Sequence, residues 1–248
     1  MTDFKQHYHG NVLGYFWTLA KPLLLFGVLY VAFTKILNFG GNVAHYPAVI
    51  ITGIVLYNYF AETTSQSLTS LVAYESLVRK VPVPLLVIPL GISLRAFFTV
   101  CLNLIAVLVF LAISDVAVTW RWLEFPVLLA ALLVLSASVG ALLADLYVPF
   151  RDMSSIWEIL LQLLFWASPI IYPIEQVPTG LREVIMLNPL AVIITDARHV
   201  LIDPSAPTAT QAMSNPAMIA IPIAIVLAVL VASVMLYRWI TPRIAEQL

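Results

Sequence analysis

The sequence predicts an all-α integral membrane protein: six transmembrane helices, an N-terminal amphipathic interface helix, and short re-entrant or gate helices between spans five and six. Three observations carry the prediction. Hydrophobic residues fill 62% of the 248 positions and charged residues only 10%, with a mean hydropathy of +0.99, against about 45–50% apolar and about 25% charged in soluble domains. Apolar runs of spanning length recur along the whole chain, separated by short polar turns. Prolines and charges cluster at a few places between those runs, where a lipid-facing helix has to end.

Composition also excludes several classes. The net charge is -1, and no basic run is long enough to follow a nucleic-acid backbone. The single cysteine, Cys101, lies in an apolar run, which rules out an intrachain disulfide. The N-terminus lacks the cation, apolar core and cleavage-site order of a secretory signal, so it is expected to be retained. Neither a Walker A loop nor a His-Glu-x-x-His pattern occurs. No cofactor or metal is therefore expected on this chain, and any ATP would be bound by another one.

Taken in order as one transmembrane domain over 1–248, residues 1–21 set Phe4, Tyr8, Val12, Tyr15 and Phe16 among Lys5, His7, His9 and Asn11, the pattern of a helix lying in the headgroup plane. Pro22 to Phe33 is apolar between Lys21 and Lys35, which must snorkel in opposite directions if it spans, and Pro22 suits the first turn of such a helix. Asn38, Gly40, Gly41 and Asn42 make an outer turn. The second span begins near Tyr46 and is apolar only to Phe60; Glu62, Thr63, Thr64, Ser65, Gln66 and Ser67 follow, so that half should face other helices or water inside an assembly.

Residues 71–86 form a cytoplasmic loop. Arg79 and Lys80 belong in water or headgroups there, and Pro82, Pro84 and Pro89 prevent one continuous helix. The third span is Val87 to Ile113, with Arg95 snorkelling or pairing within the bundle. Asp115 to Glu124 is an outer loop with Trp120 and Trp122 at the interface, followed by a charge-free fourth span, Phe125 to Ala144. Asp145 to Asp152 is a second inner turn, and Ser154 to Tyr172 is the fifth span. The stretch 168–204 carries five prolines and six charged residues, too polar for lipid and too apolar for a disordered loop. It reads as short helices re-entering or lying on the outer face. The sixth span covers roughly Met218 to Ile240. Lys and Arg number seven on the inner side and four on the outer, with Arg95 between, which favours both termini in the cytoplasm of a multi-pass inner-membrane protein.

Several stretches together resemble the transmembrane subunits of type-2 ATP-binding-cassette exporters of polysaccharides and lipid-linked glycans, the O-antigen, teichoic-acid and galactan exporters. They are YHGNVLGYFWTLAKPLL at 8–24, GIVLYNYFAETTSQSLTSLV at 53–72, ESLVRKVPVPLLVIPL at 75–90, YVPFRDMSSIWEILLQLLFWASPIIYPIEQVP at 147–178 and NPLAVIITDARHVL at 188–201. The resemblance implies a non-enzymatic transport subunit: a homodimer of this chain with two copies of a separate ATPase that holds ATP and Mg. It implies an interface helix over Phe4 to Trp17, a coupling helix over Ala73 to Val81 and outer gate helices after SPIIYP. Glu75, Arg79, Lys80 and Arg151 become the candidate contacts for coupling to the ATPase. A hydrated glycan must cross a core about 30 Å thick, and aromatic faces can stack on sugar rings without fixing a register. The candidate path residues are Tyr15, Trp17, Phe26, Tyr30, Phe33, Tyr57, Tyr59, Phe60, Trp166 and Tyr172, with Phe16 beside them, although aromatics also serve as packing and belt residues. Two other readings are a permease of a related drug or small-amphiphile exporter and a membrane enzyme acting on polyprenyl phosphates. Scattered histidines, His7, His9, His45 and His199, speak against the enzyme.

Overall fold

The computed structural model describes residues 14–36, 45–75, 84–114 and 116–247; side chains 14–19, 21–22, 33–35 and 239–247 are outside that description. Every regular element among the described residues is helical. Helix α1 (Gly14–Tyr30) passes into a π-helical stretch, Val31–Ile36, and is followed by α2 (Tyr46–Ala73), α3 (Val87–Ile113), α4 (Phe125–Tyr147), α5 (Met153–Ala167), α6 (Thr179–Met186), α7 (Pro189–Leu201), the single turn α8 (Ala209–Ala212) and α9 (Ala220–Gln247). Short 3-10 turns lead into α4, α6 and α9.

Among the described residues three stretches are long and apolar enough to cross a membrane: Val87–Ile113, Trp120–Tyr147 and Pro216–Arg238. The pair α6 and α7, bent by 104°, makes a fourth if it is a single broken span. Three expectations need correction or refinement. Residues 14–21 do not form a helix apart from the first span, because α1 runs unbroken through Lys21 and Pro22, and Pro22 is not at a first turn. The fifth span stops at Ala167 rather than Tyr172: Ser168 turns extended, as a residue before proline is pushed to do. Arg95 pairs rather than snorkels, its Nη2 donating to Gln66 Oε1.

Helix α2 is the hub, lying against α3 and α4 along most of its length and touching α1, α5 and α7. It starts at His45, whose left-handed φ of 51° turns the chain so that its carbonyl accepts from Ala48 at 2.8 Å. Ile50, Ile51, Ile54 and Leu56 are fully buried in its first half. The second half replaces apolar bulk by small polar residues, and Thr63, Thr64, Ser67 and Ser70 are buried too. Opposite them, α4 offers Ser136, Ala137, Gly140, Ala141 and Ala144. Lipid tails are as apolar as leucine, so helix pairs in a bilayer associate through close backbone approach of this kind. At Gly140 a Cβ would lie 2.8 Å from Ser67 Oγ, so the contact depends on the missing side chain. Ser136 and Ser138 donate to Leu132 and Val134 carbonyls on their own helix at 2.7 Å each, which leaves both hydroxyls satisfied away from water.

Candidate functional site

The break after α5 is fastened from several sides. Tyr46 Oη donates to the Ile171 carbonyl at 2.6 Å, and Gly53 lets the chain at Ile170 come so near that an added Cβ would meet Ile170 Cα at 3.2 Å. Asn188 serves both ends of the segment: its Oδ1 accepts from Leu190 N at 3.0 Å, capping α7, and its Nδ2 donates to Ser168 Oγ at 3.2 Å. The SPIIYP and NPL stretches are thereby two halves of one joint. Arg182 donates to the Glu175 and Val177 carbonyls at 2.9 and 3.0 Å, and Arg198 donates to Glu175 Oε2 at 2.9 Å. Backbone groups that a lipid-exposed loop would leave orphaned are satisfied inside the protein.

Beside the joint, the turn after α7 is tied to the start of α4. His199 Nδ1 lies 2.6 Å from the Ala206 carbonyl and must carry the proton, which leaves Nε2 to accept from Arg121 Nη1. Asp196 accepts from Ala209 N at 2.7 Å, and Thr208 and Gln211 cap the α8 turn reciprocally. A pocket of about 360 Å³ remains here, lined by Glu124, Val127, Leu128, Asp196, His199, Val200, Thr208 and Thr210. Among the described residues no three His, Cys, Asp or Glu side chains converge as a metal site would require.

The candidate aromatics divide into two groups. Tyr57, Tyr59 and Phe60 are buried within the bundle: Tyr57 Oη donates to the Leu161 carbonyl, its ring meets Phe165 edge-on at 5.1 Å, Tyr59 meets Phe97 at 6.3 Å, and Phe60 lies 6.2 Å from Trp157. Trp157 in turn donates from Nε1 to Thr64 Oγ1 at 3.1 Å. Phe26 and Tyr30 are half-buried and stacked at 5.8 Å, with Phe26 also edge-on to Phe110 at 5.5 Å. Trp166 is 56% exposed, and half-buried Tyr172 donates from Oη to its carbonyl at 3.2 Å. The side chains of Tyr15, Phe16, Trp17 and Phe33 lie outside the described residues. So do Arg79 and Lys80, while Glu75 is half-buried just beyond α2. Arg151 is exposed in the turn between α4 and α5, its guanidinium carbon 5.1 Å from the Tyr147 ring centre.

A polar group on α2 joins these. Gln66 Nε2 donates to Glu62 Oε1 at 2.9 Å and its Oε1 accepts from Arg95, so a cation on α3 reaches a carboxylate on α2 through an amide. Composition marks this half of α2 as polar; which of its edges is covered becomes visible only once α3 and α4 are packed against it.

Comparison with known families accounts for this architecture. Residues 1–202 match the model of the ABC-2 type transporter family. The chain is 27% identical over 203 residues to the O-antigen export system permease protein RfbA of Klebsiella pneumoniae, covering 81% of this chain and 77% of that protein. It is 26% identical over 214 residues to the protein of the same name from Myxococcus xanthus, covering 86% and 82%. Against the polysialic acid transport protein KpsM of Escherichia coli it is 23% identical over 199 residues, covering 75% and 73%. With the family match extending from the first helix through the bent α6 and α7 pair, the chain belongs to the ABC-2 type transporter family.

Proposed function

We propose that this chain is the membrane-spanning subunit of an ATP-driven exporter that carries a lipid-linked polysaccharide across the cytoplasmic membrane. The observation that supports the reading most directly is family membership, with relatives named for O-antigen export and polysialic acid transport. In this reading two copies of the chain assemble with two copies of a separate ATPase, which binds ATP and Mg. The elbow after α2, with Glu75, Arg79 and Lys80, and the inner turn at Arg151 receive the ATPase. Closure of the ATPase pair shifts the inner ends of α2 and α4, and the fastened outer joint at Ser168–Asn188 acts as the gate. Exposed Trp166 and half-buried Tyr172, Phe26 and Tyr30 are then available to stack on sugars between the two copies, whereas Tyr57, Tyr59 and Phe60 hold α2 to its neighbours.

The test is reconstitution of the full chain with its ATPase in proteoliposomes. Lipid-linked glycan should stimulate ATP hydrolysis and appear on the far side, and small amphiphiles should do neither; stimulation by the amphiphiles alone would favour a drug exporter. Charge reversal at Arg79 and Lys80 should uncouple hydrolysis from export while leaving the chain in the membrane, and normal export by that variant would remove the elbow from the mechanism.

A further inference from the structure

The second half of α2 has two polar edges, and only one is covered. Thr63, Thr64, Ser67 and Ser70 face α4 and α5 or bond back to their own helix. Glu62, Ser65 and Thr69 are exposed, with Asn58 and Gln66 half-exposed beside them. Steps of four, three and four residues from Asn58 put Asn58, Glu62, Ser65 and Thr69 on a single line along the helix. None of the four is apolar.

Depth makes this unusual. At 1.5 Å per residue, Glu62 stands about 24 Å from the Tyr46 end of α2 and about 16 Å from the Ala73 end. Arg95, the partner of Gln66, stands about 12 Å inside the inner end of α3, a helix that is itself long and apolar enough to cross the membrane. Glu62 and Gln66 therefore lie within the depth that α3 spans, with Thr69 nearer the end of α2. On α3 the exposed side chains at comparable depth are apolar, Leu94, Phe98, Leu102 and Ile105, whereas α5 exposes Glu158 and Gln162 among Ile156, Ile159 and Leu163. A carboxylate facing acyl chains there would be penalised by several kcal/mol. Among the described residues Glu62 accepts one hydrogen bond, from Gln66, which leaves most of its acceptor capacity unused.

We propose that the line Asn58, Glu62, Ser65 and Thr69, with Arg95 held in place through Gln66, forms the wall of a water-filled passage and binds the hydroxyl groups of a passing polyol chain. The proposal rests on the export reading above and names residues that reading did not use. Carboxylate, amide and hydroxyl groups at successive turns offer acceptors and donors to sugar hydroxyls without selecting one register, while the apolar neighbours Leu94, Phe98, Leu102 and Ile105 on α3 face lipid. Arg95 is a positioning residue: one of its donors fixes the Gln66 amide, whose other end orients Glu62.

The test uses the full chain assembled with its ATPase in vesicles, in a Cys101→Ala background that removes the chain's one cysteine. Ser65→Cys and Thr69→Cys, with Phe98→Cys and Ile105→Cys as lipid-facing comparators, are exposed to a membrane-impermeant sulfonatoethyl methanethiosulfonate. Both stripe positions should react at least about ten-fold faster than both comparators, because only a hydrated thiol ionises to the reactive thiolate. Glu62→Leu should export at most about a tenth as much glycan as Glu62→Gln at equal membrane abundance, a ratio that a lipid-facing leucine would not produce. Rates at Ser65→Cys or Thr69→Cys equal to those at Ile105→Cys, as a dry interface with a second copy would give, or equal export by the two Glu62 variants, overturn the proposal. Failure of the Cys101→Ala complex to move glycan at all would instead end the export reading itself.

Discussion

Arg198 Nη1 donates to Glu175 Oε2 at 2.9 Å, tying a cation on the second limb of the kinked pair to the 3-10 turn that precedes the first limb. The Arg198 side chain is only 10% exposed and that of Glu175 37%, so the bond holds a nearly buried charge. Glu175→Ala should lower stability by about 1–3 kcal/mol, less than for a fully buried pair because water reaches the carboxylate. Adding Arg198→Met should return part of the loss, since no unpaired cation then remains. Thermal unfolding of both variants in detergent measures this.

A second expectation concerns the contact of α4 with α2 at Gly140. Gly140→Ala places a methyl group 2.8 Å from Ser67 Oγ and 2.9 Å from Ser67 Cβ, so α2 and α4 must separate. Overpacking of this sort costs about 1–3 kcal/mol. Ser67→Gly in the same chain should recover most of it, and an unchanged melting temperature in Gly140→Ala would contradict the contact.

The two tryptophans of α5 should behave in opposite ways. Trp157 is buried against Phe60 and donates to Thr64, so Trp157→Ala should destabilise by about 3–5 kcal/mol and lower export only as the amount of folded protein falls. Trp166 is exposed, so Trp166→Ala should leave stability within about 0.5 kcal/mol while reducing export per folded molecule. Tyr172→Ala should follow Trp166. Export and melting curves on the same preparations separate path from packing, and equal losses in both assays at Trp166 would assign it to packing.

Acid should loosen the turn after α7. Burial alone would raise the Asp203 carboxyl, but hydrogen bonds from the Ser205 hydroxyl and amide, the positive charge of Arg198 and a backbone hydrogen bond involving Ala206 together hold it below the usual carboxylate range. A carboxyl whose folded-state value is depressed contributes stability that is complete above its unfolded value, about 3.9, and is lost as pH falls through the lower folded value. Wild type should therefore lose stability below about pH 4 more steeply than Asp203→Asn. Melting temperatures of both proteins between about pH 2.5 and pH 5.5 check the sign.

The all-helical class with several membrane-spanning stretches is legible because apolar runs in a bilayer have few ways to fold, whereas the described residues offer three or four such stretches where six are expected. The third span, Val87 to Ile113, has the boundaries its hydropathy gives it, and of the polar stretch after Phe60, expected to face other helices or water, Thr63, Thr64 and Ser67 are buried against neighbouring helices while Glu62 and Ser65 stay exposed. The break between SPIIYP and NPL was also visible, since Pro169 and Pro189 forbid a continuous helix. The helix boundary near Pro22 was misjudged because the same residue is tolerated inside a helix when neighbouring groups satisfy the freed carbonyl. Candidate aromatics could not be divided from sequence: Tyr57 and Trp166 are alike in type, and only the packing of α5 across α2 buries one and exposes the other. The packing of α3 and α4 likewise decides which edge of residues 58–69 is left uncovered, a property that no window of hydropathy records.

Helix α5, only 15 residues long, rises about 22 Å, well short of a hydrocarbon core about 30 Å thick, and its exposed Ile156, Ile159, Leu160 and Leu163 end one turn before the chain folds inward at Ser168. Wherever lipid meets this helix the bilayer has to pinch, because a short hydrophobic stretch is matched by local thinning of the membrane. A headgroup dragged from one leaflet to the other along this side has less oil to cross than beside α3, which is 27 residues long.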